Sequence, residues 1–110
     1  MRPALALVDD DPGIRRVMSL LFEEEGWTVA AFESAEAALP SLLRGDFAAV
    51  ITDHVLPGMR GLDLARQLRA SHPATPCVVI SGYSPPEGCD LPWLCKPVDF
   101  DALLRAIAPA

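Results

Sequence analysis

The chain has 110 residues, of which 9 are basic and 15 acidic, so its formal net charge is −6 at pH 7. This length and a hydrophobic fraction of 51% exclude a disordered chain and favour a single domain over residues 1–110 with one core. There is no run of about 18 apolar residues, so no membrane span is expected. The acidic balance also disfavours direct contact with nucleic-acid phosphates.

The cysteines Cys77, Cys89 and Cys95 show no CxxC spacing and no paired histidines. A disulfide framework or a zinc site is therefore not expected, and a reducing cytoplasm is the expected compartment. Cys77 and Cys95 each adjoin Val or Leu, so both are predicted to be small buried hydrophobes.

Five short apolar runs predict β-strands. Runs of this length that are apolar on both faces are typical of a parallel sheet covered on both sides. In chain order they are Ala4–Val8, Thr28–Phe32, Ala48–Thr52, Cys77–Ile80 and the weaker Trp93–Cys95.

Segments of helical periodicity separate the strands in the first half of the chain. A first helix is capped by Asp11 and ends near Gly26. Its apolar stripe consists of Ile14, Val17, Met18, Leu21 and Phe22. A second helix is expected at Ser34–Arg44, where Pro40 removes a backbone donor and predicts a kink or a late start.

The second half of the chain continues this alternation. A third helix is expected near Gly61–Ser71, and a last one at Phe100–Ile107 with Asp99 as its cap. Residues Gly82–Pro92 are rich in Pro and Gly and are predicted to form a loop. Alternating strands and helices predict an α/β fold, an open parallel sheet with helices on both faces.

Polar side chains stand at the ends of four predicted strands. Asp9 and Asp10 follow the first strand, Asp53 the third, Ser81 the fourth and Lys96, the sole lysine, the fifth. Ligands of open α/β sheets bind at this edge, and carboxylates crowded there without paired His or Cys suit Mg²⁺. Each residue alone could be a turn former or a surface charge, and their convergence favours a joint site. Spacing does not separate a phosphate-accepting carboxylate from a simple metal site.

Several motifs, taken in order, resemble the receiver domain of two-component response regulators. They are Val8–Pro12, Ile51–Asp53, Leu56–Met59 with Gly61, Val79–Gly82 and Lys96–Pro97. The resemblance covers nearly the whole chain. It implies a doubly wound, five-stranded parallel sheet of the flavodoxin-like order 2-1-3-4-5.

The resemblance also implies a metal-dependent phosphoacceptor. Asp53 matches the phosphate acceptor, and Asp9 and Asp10 match the acidic pair that holds Mg²⁺ together with Asp53. The backbone carbonyl of Val55 matches the remaining protein ligand. The implied donor is a phosphohistidine on a histidine kinase or a histidine phosphotransfer protein.

The same resemblance implies a conformational switch rather than a turnover enzyme. Lys96 matches the active-site lysine, Ser81 the switch hydroxyl and Trp93 the aromatic switch position three residues before the lysine. Such a domain would catalyse only its own phosphorylation and dephosphorylation.

The chain departs from the family pattern between Ser81 and Lys96. Only 14 residues separate them, so the fourth helix of the family is expected to be missing or vestigial. Short links of this kind resemble the receivers of hybrid histidine kinases, and no output domain is expected after the last helix. A docking module that works without phosphorylation is the alternative function. A Mg²⁺-dependent phosphatase is disfavoured because Val55 stands where a second acid would be needed.

Overall fold

The computed structural model describes residues 2–108, so the first residue and the last two residues of the expected domain lie outside the described part. Within that part, five parallel strands form one sheet in the order β2-β1-β3-β4-β5. Their bounds are β1 (Ala4–Val8), β2 (Thr28–Phe32), β3 (Ala49–Asp53), β4 (Cys77–Ser81) and β5 (Trp93–Cys95). The predicted strands and the predicted order 2-1-3-4-5 are confirmed. β3 is shifted by one residue so that it ends at Asp53, and β4 is one residue longer and ends at Ser81.

Four helices of the described part cover the two faces of the sheet. They are α1 (Pro12–Glu24), α2 (Ala35–Leu43), α3 (Gly61–Ser71) and α4 (Phe100–Ile107). Because side chains alternate along a strand, Leu5 and Leu7 of β1 pack in the core beneath α1 and α4, and Ala6 and Val8 pack beneath α2 and α3. None of the helices within residues 2–108 has the length and apolar character needed to cross a membrane.

Residues 82–92 connect β4 to β5 without a helix, as the Pro- and Gly-rich sequence predicts. Leu91 is buried in the same core cluster as Leu62 and Ala65 of α3, and Cys89 packs against that cluster. These two side chains of the connection therefore shield the core beside α3 from solvent.

The apolar stripe of α1 is only partly buried. Phe22 is fully buried and Met18 is packed against the core, but Ile14, Val17 and Leu21 are 39%, 57% and 38% exposed. The apolar face of α1 is therefore wider than the part of the helix surface that packs against the sheet. Ile14 and Val17 line an open groove beside Asp11, and the exposed residues Ile14, Val17, Leu20 and Leu21 are called the α1 face below.

Two cysteines that the sequence predicted to be buried have different environments. Cys77 lies in the interior strand β4, where burial raises the pKa of its thiol to about 12. Cys95 is exposed, so that prediction is wrong. The thiol is exposed because β5 is the edge strand of the sheet. The Cys95 sulfur lies 3.6 Å from the Tyr83 carbonyl oxygen.

One predicted helix start needs correction, and one predicted cap is confirmed only in its position. α2 begins at Ala35 with Pro40 inside it, so the alternative of a late start is wrong. Ser34 caps it instead, accepting a hydrogen bond from the Ala37 N–H at 3.0 Å. Asp99 occupies the cap position of α4, but its side chain makes no capping hydrogen bond.

Candidate functional site

Neighbouring strand ends bring three carboxylates together at one edge of the sheet. β1 pairs with β3, so Asp9 and Asp10 after β1 meet Asp53 at the end of β3. One carboxylate oxygen from each residue lies within 4.8 Å of the other two. Asp9 and Asp53 are only 2% and 6% exposed, whereas Asp10 is exposed. The expected convergence of these acids is therefore present in the structure.

The turn after β1 is held by hydrogen bonds to Asp9 and Asp11. The Asp11 N–H donates to Asp9 Oδ1 at 2.9 Å, and Asp11 Oδ1 caps α1 as predicted, accepting from Gly13 and Ile14. Arg15 Nη1 donates to the Asp9 carbonyl oxygen at 2.7 Å. The sequence did not single out Arg15, because helix periodicity does not tell where a long side chain turns back.

Lys96 faces the acidic cluster from the end of β5. Its Nζ lies 3.4 Å from Asp53 Oδ2, and its backbone N–H donates to the Ser81 carbonyl oxygen at 2.7 Å. The Lys96 side chain is 39% exposed, so this long ion pair contributes little to stability. One ammonium against three carboxylates leaves the site with an excess of negative charge.

Ser81 and Trp93 are linked through the backbone of one residue, Tyr83. The buried Ser81 Oγ accepts a hydrogen bond from the Tyr83 N–H at 3.1 Å, and Trp93 Nε1 donates to the Tyr83 carbonyl oxygen at 3.0 Å. The indole also packs on the His54 ring, with centroids 4.9 Å apart. His54 Nδ1 accepts a hydrogen bond from the Leu62 N–H at 3.3 Å, so this ring is partly packed, and its pKa is lowered mainly by burial.

The loop between β3 and α3, residues 54–60, directly follows Asp53. Val55 is 48% exposed and Leu56 is buried. On the far side of the loop, Glu36 of α2 accepts a hydrogen bond from the Met59 N–H at 3.0 Å. Glu36 was not singled out by the sequence either, since a contact across 23 positions leaves no local signal.

The family model for the response regulator receiver domain matches residues 5–89 of this chain. The chain belongs to the response regulator receiver family. The C4-dicarboxylate transport transcriptional regulatory protein DctD of Rhizobium meliloti is 42% identical over 82 residues, which are 74% of this receiver and 18% of DctD. The transcriptional regulatory protein GlrR of Escherichia coli K12 is 34% identical over 117 residues, covering 99% of this receiver and 26% of GlrR. The receiver thus spans about a quarter or less of these curated relatives.

Solved structures agree with this assignment. The response regulator protein TrrA of Thermotoga maritima, in complex with Mg²⁺ and BeF, superposes with a TM-score of 0.83, 28% identity and 96% of each chain covered. TrrA in complex with the histidine kinase ThkA gives a TM-score of 0.82 at 26% identity, covering 96% of this receiver and 95% of TrrA. The receiver is therefore a signalling module of the two-component class.

The donor set of the receiver's acidic cluster fits Mg²⁺. Carboxylate oxygens from Asp9, Asp10 and Asp53 meet there, and the cluster contains no thiolate or imidazole. Hard oxygen donors that leave room for water and for phosphate oxygens are the ligands this ion prefers. The pKa of Asp9 is raised, mainly because the carboxyl is buried. The negative charge of Asp53 raises this pKa further, and the hydrogen bond from the Asp11 N–H offsets only part of the increase. A cation would relieve that crowding.

The raised pKa of Asp9 predicts how stability depends on pH in the metal-free receiver. The folded state holds this proton more tightly than the unfolded chain, so stability falls as pH rises from the ordinary value of 3.8 through the raised folded value. We expect Asp9→Asn to raise the free energy of unfolding at pH 7 by about 1 kcal/mol, a usual size when a functional charge is removed. The gain should shrink near pH 4. Urea unfolding of both proteins with a chelator present measures it, and a less stable variant at pH 7 would contradict the prediction.

Proposed function

We propose that this receiver accepts a phosphoryl group from a phosphohistidine onto Asp53, in the presence of Mg²⁺. The observation that carries the proposal is the position of the Asp53 carboxylate. It lies at a buried strand end, against two further carboxylates, with the Lys96 ammonium 3.4 Å away. A docking module that works without phosphorylation has no need of this combination of charges.

The chemistry is a displacement at phosphorus. A carboxylate oxygen of Asp53 attacks the phosphorus, the P–N bond to the donor imidazole breaks, and its electron pair stays on the imidazole nitrogen. Asp10, Asp53 and the Val55 carbonyl would hold Mg²⁺, with Asp9 acting through water. The bound ion would neutralise charge on the carboxylate and on the phosphoryl group.

The proposed switch uses the residues around the Tyr83 peptide. Lys96 exchanges its partner from the Asp53 carboxylate to a phosphoryl oxygen, and the Ser81 hydroxyl donates to another. Ser81 and Trp93 both bond to the peptide groups of Tyr83. When the Ser81 hydroxyl moves, it releases the Tyr83 backbone, whose carbonyl oxygen accepts the Trp93 hydrogen bond. Phosphorylation at Asp53 would in this way change the packing of Trp93 on the edge strand β5.

The proposed donor is a histidine kinase or a histidine phosphotransfer protein. The α1 face supports this, because exposed apolar side chains on the helix that follows Asp9–Asp11 offer a surface for a partner beside the acceptor. TrrA, which shares the fold, is described in complex with a histidine kinase. The free thiols of the three cysteines are consistent with the cytoplasm as the proposed compartment.

The test is phosphorylation by a small donor that needs no protein partner. The receiver is incubated with acetyl phosphate and Mg²⁺, and its intact mass is measured. We expect the mass to increase by one phosphoryl group, and hydroxylamine to remove the group, as an acyl phosphate requires. A parallel sample with a chelator in place of Mg²⁺ should gain little. No gain with Mg²⁺, or an equal gain with the chelator, would contradict the proposal.

A further inference from the structure

A carboxylate of α2 holds the loop that directly follows Asp53. Glu36 lies in the first turn of α2, and its Oε2 accepts a hydrogen bond from the Met59 N–H at 3.0 Å. The pKa of Glu36 is lowered by this N–H group, which shows that the contact favours the charged form. The two residues are 23 positions apart, so the bond joins two separate elements.

Gly58, next to Met59, lets the carboxylate approach the loop backbone. Its φ is +77°, a left-handed conformation that glycine adopts without strain. A Cβ atom at this position would collide with Glu36 Oε2 and lie 3.1 Å from its Cδ. The carboxylate thus lies directly on the turn formed by Gly58 and Met59.

Other contacts also hold this loop. The Gly61 N–H donates to the His54 carbonyl oxygen at 3.0 Å, and Leu56 is buried in the core. At the turn of Gly58 and Met59, the Met59 side chain packs against the same core, and the Glu36 carboxylate ties the turn's backbone to α2. Val55, whose carbonyl is proposed to face the metal, lies on this same short loop.

We propose that Glu36 is a positioning residue for Mg²⁺ binding. This inference rests on the proposed function, because the ion is the one that Asp10, Asp53 and Val55 would hold. Glu36 does not touch the ion. It holds the loop of Val55 in place before the ion arrives, so that less conformational freedom is lost on binding.

A different role for Glu36 makes a different prediction. An acid in the first turn of a helix also stabilises the helix dipole, and any acid near the site raises cation affinity through its charge. Glu36→Gln separates these effects, because the amide oxygen can still accept from Met59 although the charge is gone. Glu33→Ala is the matched charge control, since Glu33 is an exposed acid at the end of β2.

The experiment is a calorimetric Mg²⁺ titration of the wild-type chain and the three variants. Glu36→Ala should bind Mg²⁺ about tenfold more weakly, the lower end of the loss found when a partner behind a metal ligand is removed. Glu36→Gln and Glu33→Ala should stay close to the wild type. In the metal-free protein, NMR should show faster amide exchange at Met59 in Glu36→Ala alone, with the free energy of unfolding nearly unchanged.

Each other result counts against the inference. Wild-type affinity in Glu36→Ala overturns it while leaving the proposed function intact. Equal weakening in all three variants overturns it as well, because the effect would then be one of charge. If the wild-type chain binds no Mg²⁺, the proposed metal site fails, and the role of Glu36 fails with it.

Discussion

Substitution of Asp53 by asparagine is expected to abolish phosphorylation of the receiver by acetyl phosphate. The asparagine amide has nearly the same shape but no carboxylate oxygen to attack phosphorus. It also removes the charge that Lys96 faces at 3.4 Å and one of the three carboxylates that converge at the sheet edge. Intact mass after incubation with acetyl phosphate and Mg²⁺ should show only the unmodified chain. The variant should remain folded, because removing one of three crowded charges relieves repulsion.

Two further substitutions separate the acceptor from its surroundings. Asp10→Asn keeps the nucleophile and loses a proposed metal ligand, so its phosphorylation should be slower and should need more Mg²⁺. Asp46→Asn changes an exposed acid that pairs with Arg44 away from the site, and should behave as the wild type. A phosphoryl gain in Asp53→Asn at the wild-type rate would place the acceptor elsewhere.

Gly61→Ala is expected to cause the largest loss of stability of any glycine-to-alanine change at a position without a positive φ. Gly61 opens α3, and an added Cβ would collide with the Asp53 carbonyl oxygen and lie 2.8 Å from the Asp53 carbonyl carbon and 2.9 Å from His54 Cα. These atoms are backbone and cannot rotate away. Overpacking of this kind costs about 3 kcal/mol, and the free energy of unfolding from urea titration measures it.

Gly82 provides the matched control for this substitution. An added Cβ at Gly82 meets nothing within 4 Å, and its φ is not positive. Gly82→Ala should therefore unfold at nearly the wild-type urea concentration. Equal losses in the two variants would show that the effect comes from glycine content and not from the close approach of α3 to the end of β3.

The strands were predictable because their apolar pattern is a local property of the sequence. The runs Ala4–Val8 and Cys77–Ile80 are apolar on both faces, which is typical of strands covered on both sides. The carboxylate cluster followed from the same reasoning, since parallel strands place their carboxyl ends at one edge. The absence of a helix in residues 82–92 followed from proline and glycine content.

Exposure was harder to predict than secondary structure. The periodicity of α1 indicated an apolar stripe, but how much of it the sheet covers depends on the width of the neighbouring elements, and Val17 remains 57% exposed. The thiol of Cys95 is exposed because β5 is the edge strand. Neither fact is contained in the residues near these positions.

The sequence by itself determined the α/β alternation and the set of polar residues at the strand ends, because backbone preference and burial act over a few residues. Only the tertiary structure decided which long side chains turn back to the site. Arg15 on the Asp9 carbonyl, Glu36 on Met59 and Trp93 on Tyr83 are hydrogen bonds of this kind. Each depends on how helices, strands and loops are placed on one another, and a rotatable side chain carries no local signal of its distant partner.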